Sequence, residues 1–328
     1  MSAGAPELLT GADEALTVEV AGAEREITAR SPMQLFWRRL RQDKVAMVAL
    51  TFVVLIVLTA VLAPLIVKIA GTPAPGVTNA DLTDDFGQPL GPRAGHPFGV
   101  DKRGRDVFSR TVYGARVSLE VAFIATALVV LIGVSVGLIA GYYRGWVDTA
   151  LTRSMDLLLA FPVLVLAIGI GVACSGAQGC AGGLIQPGLT VVIFVITLTT
   201  WPYMARIVRG QVLSLREKEF VEAAQSLGAS DRRILFREVL PNLVAPIIVY
   251  STILIPQNIL YEAALSFLGV GIDPSTPSWG AMISDATSIF QDAWWFMLFP
   301  GLFLLITVLA FNIVGDGLQD ALNPRTSK

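Results

Sequence analysis

The sequence predicts an all-α polytopic membrane protein with six transmembrane helices and both termini in the cytoplasm. Three observations carry this. First, hydrophobic residues make up 54% of the 328 residues and charged residues only 15%, where a soluble domain carries about 25% charged; mean hydropathy is +0.65. Second, the apolar runs have bilayer length. A span needs about 20 apolar residues, and 45–67, 121–143, 239–261 and 293–315 are each free of charge. The charge-free stretch 157–205 is too long for one span. Its turn-rich middle, CSGAQGCAGGLIQPG, divides it into spans near 157–173 and 189–208. Buried helices of a soluble core would need runs of only about 10–14 residues. Third, with the N-terminus inside, 17 of the 24 Lys and Arg residues fall on cytoplasmic segments. The other seven share one outer loop, which is the bias that sets orientation.

The elements follow in chain order. Residues 1–30 are rich in Ala, Gly and Glu without apolar periodicity, and are expected to form a loosely ordered cytoplasmic tail. The opening has no basic n-region and no early apolar core, so no signal peptide is expected. Residues 31–44, SPMQLFWRRLRQDK, place Met33, Phe36, Trp37 and Leu40 on one face and Arg38, Arg39, Arg41 and Lys44 on the rest. That pattern predicts an interfacial helix on the inner leaflet; a plain basic flank of the first span is the alternative. Residues 45–325 form the six-span domain, with an outer loop at 68–117, a cytoplasmic loop at 209–241 and a tail at 326–328. Helical spacing at Val107, Thr111, Val112 and Ala115 predicts that the end of the outer loop runs into the second span. Pro64, Pro162 and Pro256 are candidate helix breaks.

Chemistry is sparse. There is no Gly-x-x-x-x-Gly-Lys-Ser/Thr, hence no phosphate loop. No Ser/His/Asp, Cys/His or paired-carboxylate set converges, and a single histidine, His96, removes most general bases. His96 reads as a packing or hydrogen-bonding residue. Glu120 and Asp156 lie at span ends and read as structural; Glu262 is balanced between structure and function. Cys174 and Cys180 share one outer loop, either as an extracytoplasmic disulfide or as two free small residues in a Gly-rich turn. Two cysteines and one histidine do not make a four-ligand zinc site. No catalytic residue, resident cofactor or metal is expected.

The segment EAAQSLGASDRRILFREVLPN (222–242) is polar, helix-forming and set between two apolar runs. Leu227 leads to Gly228, which supplies a turn if left-handed. Ser230 or Asp231 is placed to cap a second helix over 232–239, and Pro241 to end it. Small residues at Ala223 and Ala224 let another backbone come close. The pattern predicts a rigid two-helix knob on the cytoplasmic face. On the fifth span, Ser251, Gln257 and Asn258, at i, i+6 and i+7, fall toward one side. With Thr252 nearby and Pro256 between, they are expected either to line a polar route through the bilayer or to bond neighbouring spans.

Glu222-Ala223-Ala224, Gly228 six residues after the glutamate, and Leu240-Pro241-Asn242 resemble the EAA loop of ABC importer permeases. HPFGVDKRGRDVFSRTVYGARVSL (96–119), SMDLLLAFP (154–162), EAALSFLGVGIDPSTPSWGAMI (262–283) and NIVGDGLQDALNPR (312–325) resemble the dipeptide/oligopeptide/nickel branch, in its second, C-type permease subunit. The likeness covers about residues 32–325 and leaves out the acidic tail and the Cys loop. Glu238 stands where relatives often carry His. The resemblance implies an ABC type I importer permease fold in the cytoplasmic (inner) membrane of a bacterium. It implies half of a heterodimeric pore for di- or oligopeptides, with nickel as the alternative cargo. The implied partners are a sister permease, two ATPase subunits that hold the ATP and Mg, an extracytoplasmic binding protein and the lipid bilayer, with no nucleic acid. Glu222, Ala223, Ala224, Gly228, Arg232 and Pro241 are the implied ATPase-coupling residues. A stand-alone secondary carrier is the reading from another class; it would place ionisable or broken-helix sites near the midplane.

Overall fold

The apolar runs fold as helices, and the breaks between them fall at an acidic cap, a glycine or a proline. The computed structural model describes residues 32–84, 87–174, 176, 179–270 and 276–322. The expected tails at 1–30 and 326–328, together with Ser31, lie outside the described residues.

Helix α1 (Pro32–Gln42) and α2 (Lys44–Val61) meet at Asp43, whose carboxylate accepts from the Val45 and Ala46 backbone N–H groups at 3.0 Å. Such a cap satisfies donors that a helix start leaves orphaned. Leu40 on α1 packs against Ala46 and Ala321, while Trp37, Arg38 and Arg41 stay exposed. After a break at Leu62 comes α3 (Ala63–Ala70). The loop expected at 68–117 is helical at both ends, since α3 reaches Ala70 and α4 (Val107–Tyr143) already starts at Val107. At about 1.5 Å per residue, its 37 residues exceed the hydrocarbon core of about 30 Å. Val107, Thr111, Val112 and Ala115 are all buried at its outer end.

Helices α5 (Trp146–Leu159) and α6 (Val163–Cys174) are bent by 85° at the break holding Pro162. The break falls inside the span expected near 157–173, at one of the prolines expected to interrupt a helix. Proline lacks an N–H and disfavours helix in the residue before it. Then follow α7 (Leu189–Arg216), α8 (Glu219–Ser226), α9 (Asp231–Phe267), α10 (Trp279–Ala286) and α11 (Trp294–Leu322). Short 3-10 turns occupy Ala80–Leu82 and Ala181–Gly183, and no strand occurs among the described residues beyond isolated bridges. Among the described residues five helices, α2, α4, α7, α9 and α11, are long and apolar enough to cross a membrane, and six spans result when the bent pair α5–α6 is counted as one.

The closest helix pairing is α4 against α7. Gly133, Gly137 and Gly141 recur every four residues on α4 and face Met204, Ala205, Val208 and Val212. A Cβ at Gly137 would stand 2.6 Å from the Ala205 carbonyl oxygen, so only glycine permits this approach. Small residues at such spacing let helices pack in lipid, where hydrophobic burial between spans drives little. A second core joins Ala49, Val53 and Ile56 of α2 to Ala115, Leu119 and Ala122 of α4 and Phe311 of α11.

Buried polar groups act as staples. Glu262 is fully buried; Ser118 on α4 donates to one carboxyl oxygen at 2.6 Å and Ser266 to the other at 2.7 Å. The Trp279 indole donates to the Thr111 carbonyl at 3.0 Å. His96 shares a 2.8 Å contact with Asp106, the residue that caps α4 by accepting from Ser109 N–H at 2.6 Å. Asp156 accepts from Arg206 at 2.7 Å, whereas Glu120 is exposed in a groove beside Arg116.

Candidate functional site

The segment between α7 and the body of α9 folds into a two-armed knob. Its turn is built on Gly228. The Gly228 N–H donates to Gln225 O at 2.9 Å and the Ala229 N–H to Ala224 O at 3.0 Å. With Gly228 at φ +76 this is the left-handed closure that ends α8. The knob is fixed from below. Val221, Ile234 and Val239 are buried with Val208, Val212 and Leu243 in one cluster. The Tyr142 hydroxyl, at the end of α4, donates to Asp231 at 2.9 Å. Arg216 lies 5.6 Å from the Tyr142 ring centroid and also donates to the Tyr142 carbonyl, while Arg144 pairs with Glu217. Arg209 on α7 holds Asp148 on α5 through two bonds of 2.5 and 2.8 Å.

Outward, Glu222, Ala223, Gly228, Arg232 and Pro241 are exposed, Ala224 is half-buried, and Leu227 is 89% exposed. A groove of about 340 Å³ runs along the knob between Phe220, Ala223, Leu227, Gly228, Arg233 and Glu238. Its floor, at Ala223, Ala224, Gly228 and Ala229, is small and apolar, and its rim carries one cation and one anion, Arg233 and Glu238.

Two local expectations are corrected here. Ser230 occupies the cap position of the second arm but makes no side-chain capping bond; its carbonyl accepts from Ile234 N–H at 3.0 Å. Asp231 instead spends its carboxylate on Tyr142. Pro241 does not end the second arm. The helix continues to Phe267, because a π-helical stretch, Ile234–Val239, shifts the bonding register just before the proline. There the Leu240 N–H reaches back to Leu235 O. π turns are rare, and where they occur inside α-helices they fall frequently at functional sites.

A second feature lies in the membrane, where α7 and α9 part to leave a cleft of about 320 Å³. Gln257 lies in its wall. Ser251 and Thr252 are half-buried and donate to their own helix, at Ile247 O and Val249 O. Asn258 departs from the expected shared face: it is fully buried, and its amide donates to Thr126 Oγ1 on α4 at 2.9 Å. A helix turns about 100° per residue, so Gln257 and Asn258 serve different surroundings. The cleft also holds Thr200, Tyr203, Tyr250 and Tyr261, which sequence reasoning missed. The signal was present: Tyr250, Gln257 and Tyr261 stand at i, i+7 and i+11, one line along a helix.

Between α6 and α7, Cys174 and Cys180 are joined by a disulfide with Cα atoms 4.9 Å apart. Cys180 also pairs with Ile185 through backbone bonds of 2.9 and 3.2 Å. Among the described residues no three His, Cys, Asp or Glu side chains converge as metal ligands.

The chain resembles known proteins along most of its length. Residues 133–328 match the family described as binding-protein-dependent transport system inner membrane component. Residues 31–86 match the N-terminal TM domain of oligopeptide transport permease C. A dipeptide transport system permease protein of Alkalihalophilus pseudofirmus is 41% identical over 92% of this chain and 93% of that one. A glutathione transport system permease protein of Pectobacterium atrosepticum is 38% identical over 92% of this chain and 94% of its own. Among solved structures, an inward-facing form of the MetNI methionine ABC transporter aligns with TM-score 0.53 and 21% identity, over 66% of this chain and 97% of that chain. At that identity the likeness concerns the fold, that of an ABC importer permease.

Proposed function

This chain belongs to the family of binding-protein-dependent transport system inner membrane components, and from that premise we propose that it forms half of a peptide-conducting pore worked through its cytoplasmic knob. It is a multi-pass permease subunit of an ABC importer and does not itself hydrolyse ATP; hydrolysis falls to partner ATPases. Peptides are the proposed cargo because the relatives that match over nine-tenths of the chain are named for dipeptide and glutathione transport. The proposed assembly adds a sister permease, two ATPase subunits and an extracytoplasmic binding protein, in a bacterial inner membrane with both termini inside.

The single observation that carries the coupling role is the knob. Its groove offers Ala223, Leu227 and Gly228 to a partner, with Glu222 exposed on the same arm, while Tyr142, Arg216 and the cluster around Val221 tie it to α4, α7 and α9. A ligand shifts a two-state machine only by its differential affinity for the two states. ATP's preference for the closed ATPase pair therefore has to reach the spans as a push on this knob. Rigid anchoring turns the push into a tilt of α7 and α9, the two helices that wall the cleft. Arg232 is exposed beside the groove and suits an acidic group on the partner, and Pro241 stiffens the root of the second arm.

Orientation gives a direct test. A cysteine replacing the exposed Ser230 is expected to react with maleimide only when the reagent crosses the membrane. One replacing the exposed Ser288 is expected to react with an impermeant reagent from outside. Ser278, in the same outer region, is buried under α10, where its hydroxyl accepts from Ala281 N–H at 3.2 Å, and does not serve as a probe. Labelling of Ser230→Cys by the impermeant reagent in intact cells would invert the topology and remove the knob from the ATPase side.

A further inference from the structure

Four polar side chains in the membrane cleft, Tyr203, Tyr250, Gln257 and Tyr261, make no hydrogen bond among the described residues. Their placement is regular. Tyr250, Gln257 and Tyr261 lie on α9 within about 40° of one another at 100° per residue, spread over about 16 Å of helix. Tyr203 faces them from α7, with Thr200 one turn away. Gln257 is exposed, Tyr203 is 46% exposed, and Tyr250 and Tyr261 are half-buried, so their polar ends are open to whatever enters the cleft; left facing hydrocarbon without a partner, such groups are strongly unfavourable. A cleft that gathers four such groups is built for a polar occupant that is absent from the chain itself.

The walls define that occupant. Among the described residues no Asp, Glu, Lys or Arg lines the cleft; the remaining surface is Met204, Ile207, Ile253 and Leu254. Neutral amide and phenol groups make poor ligands for a divalent cation, which favours imidazole, thiolate or carboxylate according to its softness. They exchange hydrogen bonds readily with peptide N–H and C=O groups. The three rings add flat surfaces for apolar or aromatic side chains of any identity. The volume, about 320 Å³, sits at the low end for small-molecule sites and suits two or three residues. We propose that Tyr203, Tyr250, Gln257 and Tyr261 form a way station that binds the backbone amides of a short peptide in transit, without gripping its charged termini. This rests on the pore reading above and adds to it which groups touch the cargo and which part of the cargo they read.

The test uses the whole transporter, reconstituted in proteoliposomes with its sister permease, ATPases and binding protein. A benzophenone amino acid replaces Tyr250 in one preparation and Val48, a 72% exposed residue of α2, in another. A radiolabelled mixture of short neutral peptides is then supplied during turnover under illumination. Label is expected on the chain substituted at Tyr250, suppressed by excess unlabelled peptide, and absent from the one substituted at Val48. In parallel, the combined change Tyr250→Phe, Gln257→Leu and Tyr261→Phe removes the polar atoms and keeps the bulk. It is expected to lower uptake by about tenfold, the size that the loss of a few neutral hydrogen bonds implies. Binding-protein-stimulated ATP hydrolysis is expected to stay within about twofold of wild type. If the unmodified transporter carries peptide but Tyr250 gains no more label than Val48, or cross-links only to the sister permease, the cleft is a subunit contact and the way station is wrong. If the unmodified transporter carries no peptide at all, the pore reading fails and takes this inference with it.

Discussion

Gly228→Val lowers uptake and binding-protein-stimulated ATP hydrolysis by about tenfold or more, with the chain still assembled in the membrane. Gly228 sits at φ +76, and a Cβ placed there would meet no atom within 4 Å. The penalty is therefore conformational rather than steric crowding. For an L-residue the left-handed region is disfavoured by roughly 1–2 kcal/mol, and β-branching adds to that. Valine pulls the turn toward right-handed geometry, which breaks the closing bonds from Gly228 and Ala229 to α8 and swings α8 away from the second arm. Gly228→Asn provides the control, since asparagine tolerates this region; it is expected to keep more than half of the activity. Equal loss in both variants would show that the side chain's presence matters, not the turn, and the coupling geometry described for the knob would be wrong.

Gly137→Leu is expected to do more, because it attacks the fold itself. The new Cβ would stand 2.6 Å from the Ala205 carbonyl oxygen and 2.7 Å from the Val208 Cβ. Neither is the free end of a flexible side chain, so α4 and α7 must separate. Overpacking a tight core is destabilising by about 1–3 kcal/mol or more, and here the clash sits in the middle of a run of three glycines. Yield of the folded complex on size exclusion is expected to fall several-fold, and both the knob and the cleft, which share α7, are lost together. Gly210→Leu on α7 meets nothing within 4 Å and is expected to leave the yield unchanged. An intact complex with Gly137→Leu would contradict the close pairing of α4 with α7.

What is legible in the sequence follows from the strength of the local signal. The spans are readable because a charge-free run of bilayer length fits little besides a membrane-crossing helix. The knob is readable because its polar helix-forming residues interrupt those runs and turn at Gly228. Pro162 marks a bend, yet the size of that bend depends on packing against α7, which no local pattern encodes. Pro241 misleads because a π stretch of six residues absorbs a proline that an α-helix would not. Gln257 and Asn258 read as one face because α9 is apolar nearly all round; with no polar stripe to set the rotation, neighbours 100° apart cannot be sorted. The buried side of α9 is chosen by Thr126 and Ser118, which lie on a helix distant in sequence. The Gly133, Gly137, Gly141 repeat and the line of Tyr250, Gln257 and Tyr261 are visible only as spacings. A glycine or tyrosine in an apolar run reads as composition until a facing helix gives it a role.

The central claim is that an ATPase partner grips the knob and that its nucleotide state moves the knob. Ser226 is exposed at the end of α8, next in sequence to the groove residue Leu227. In the assembled transporter a cysteine replacing it, carrying a short photo-crosslinker, is illuminated without nucleotide and then with a non-hydrolysable ATP analogue. The expected result is a covalent adduct with an ATPase subunit in both conditions, at different partner residues or with a different yield once nucleotide is bound. An adduct that never includes an ATPase subunit, or one identical in site and yield in both states of a transporter competent for uptake, would contradict that claim.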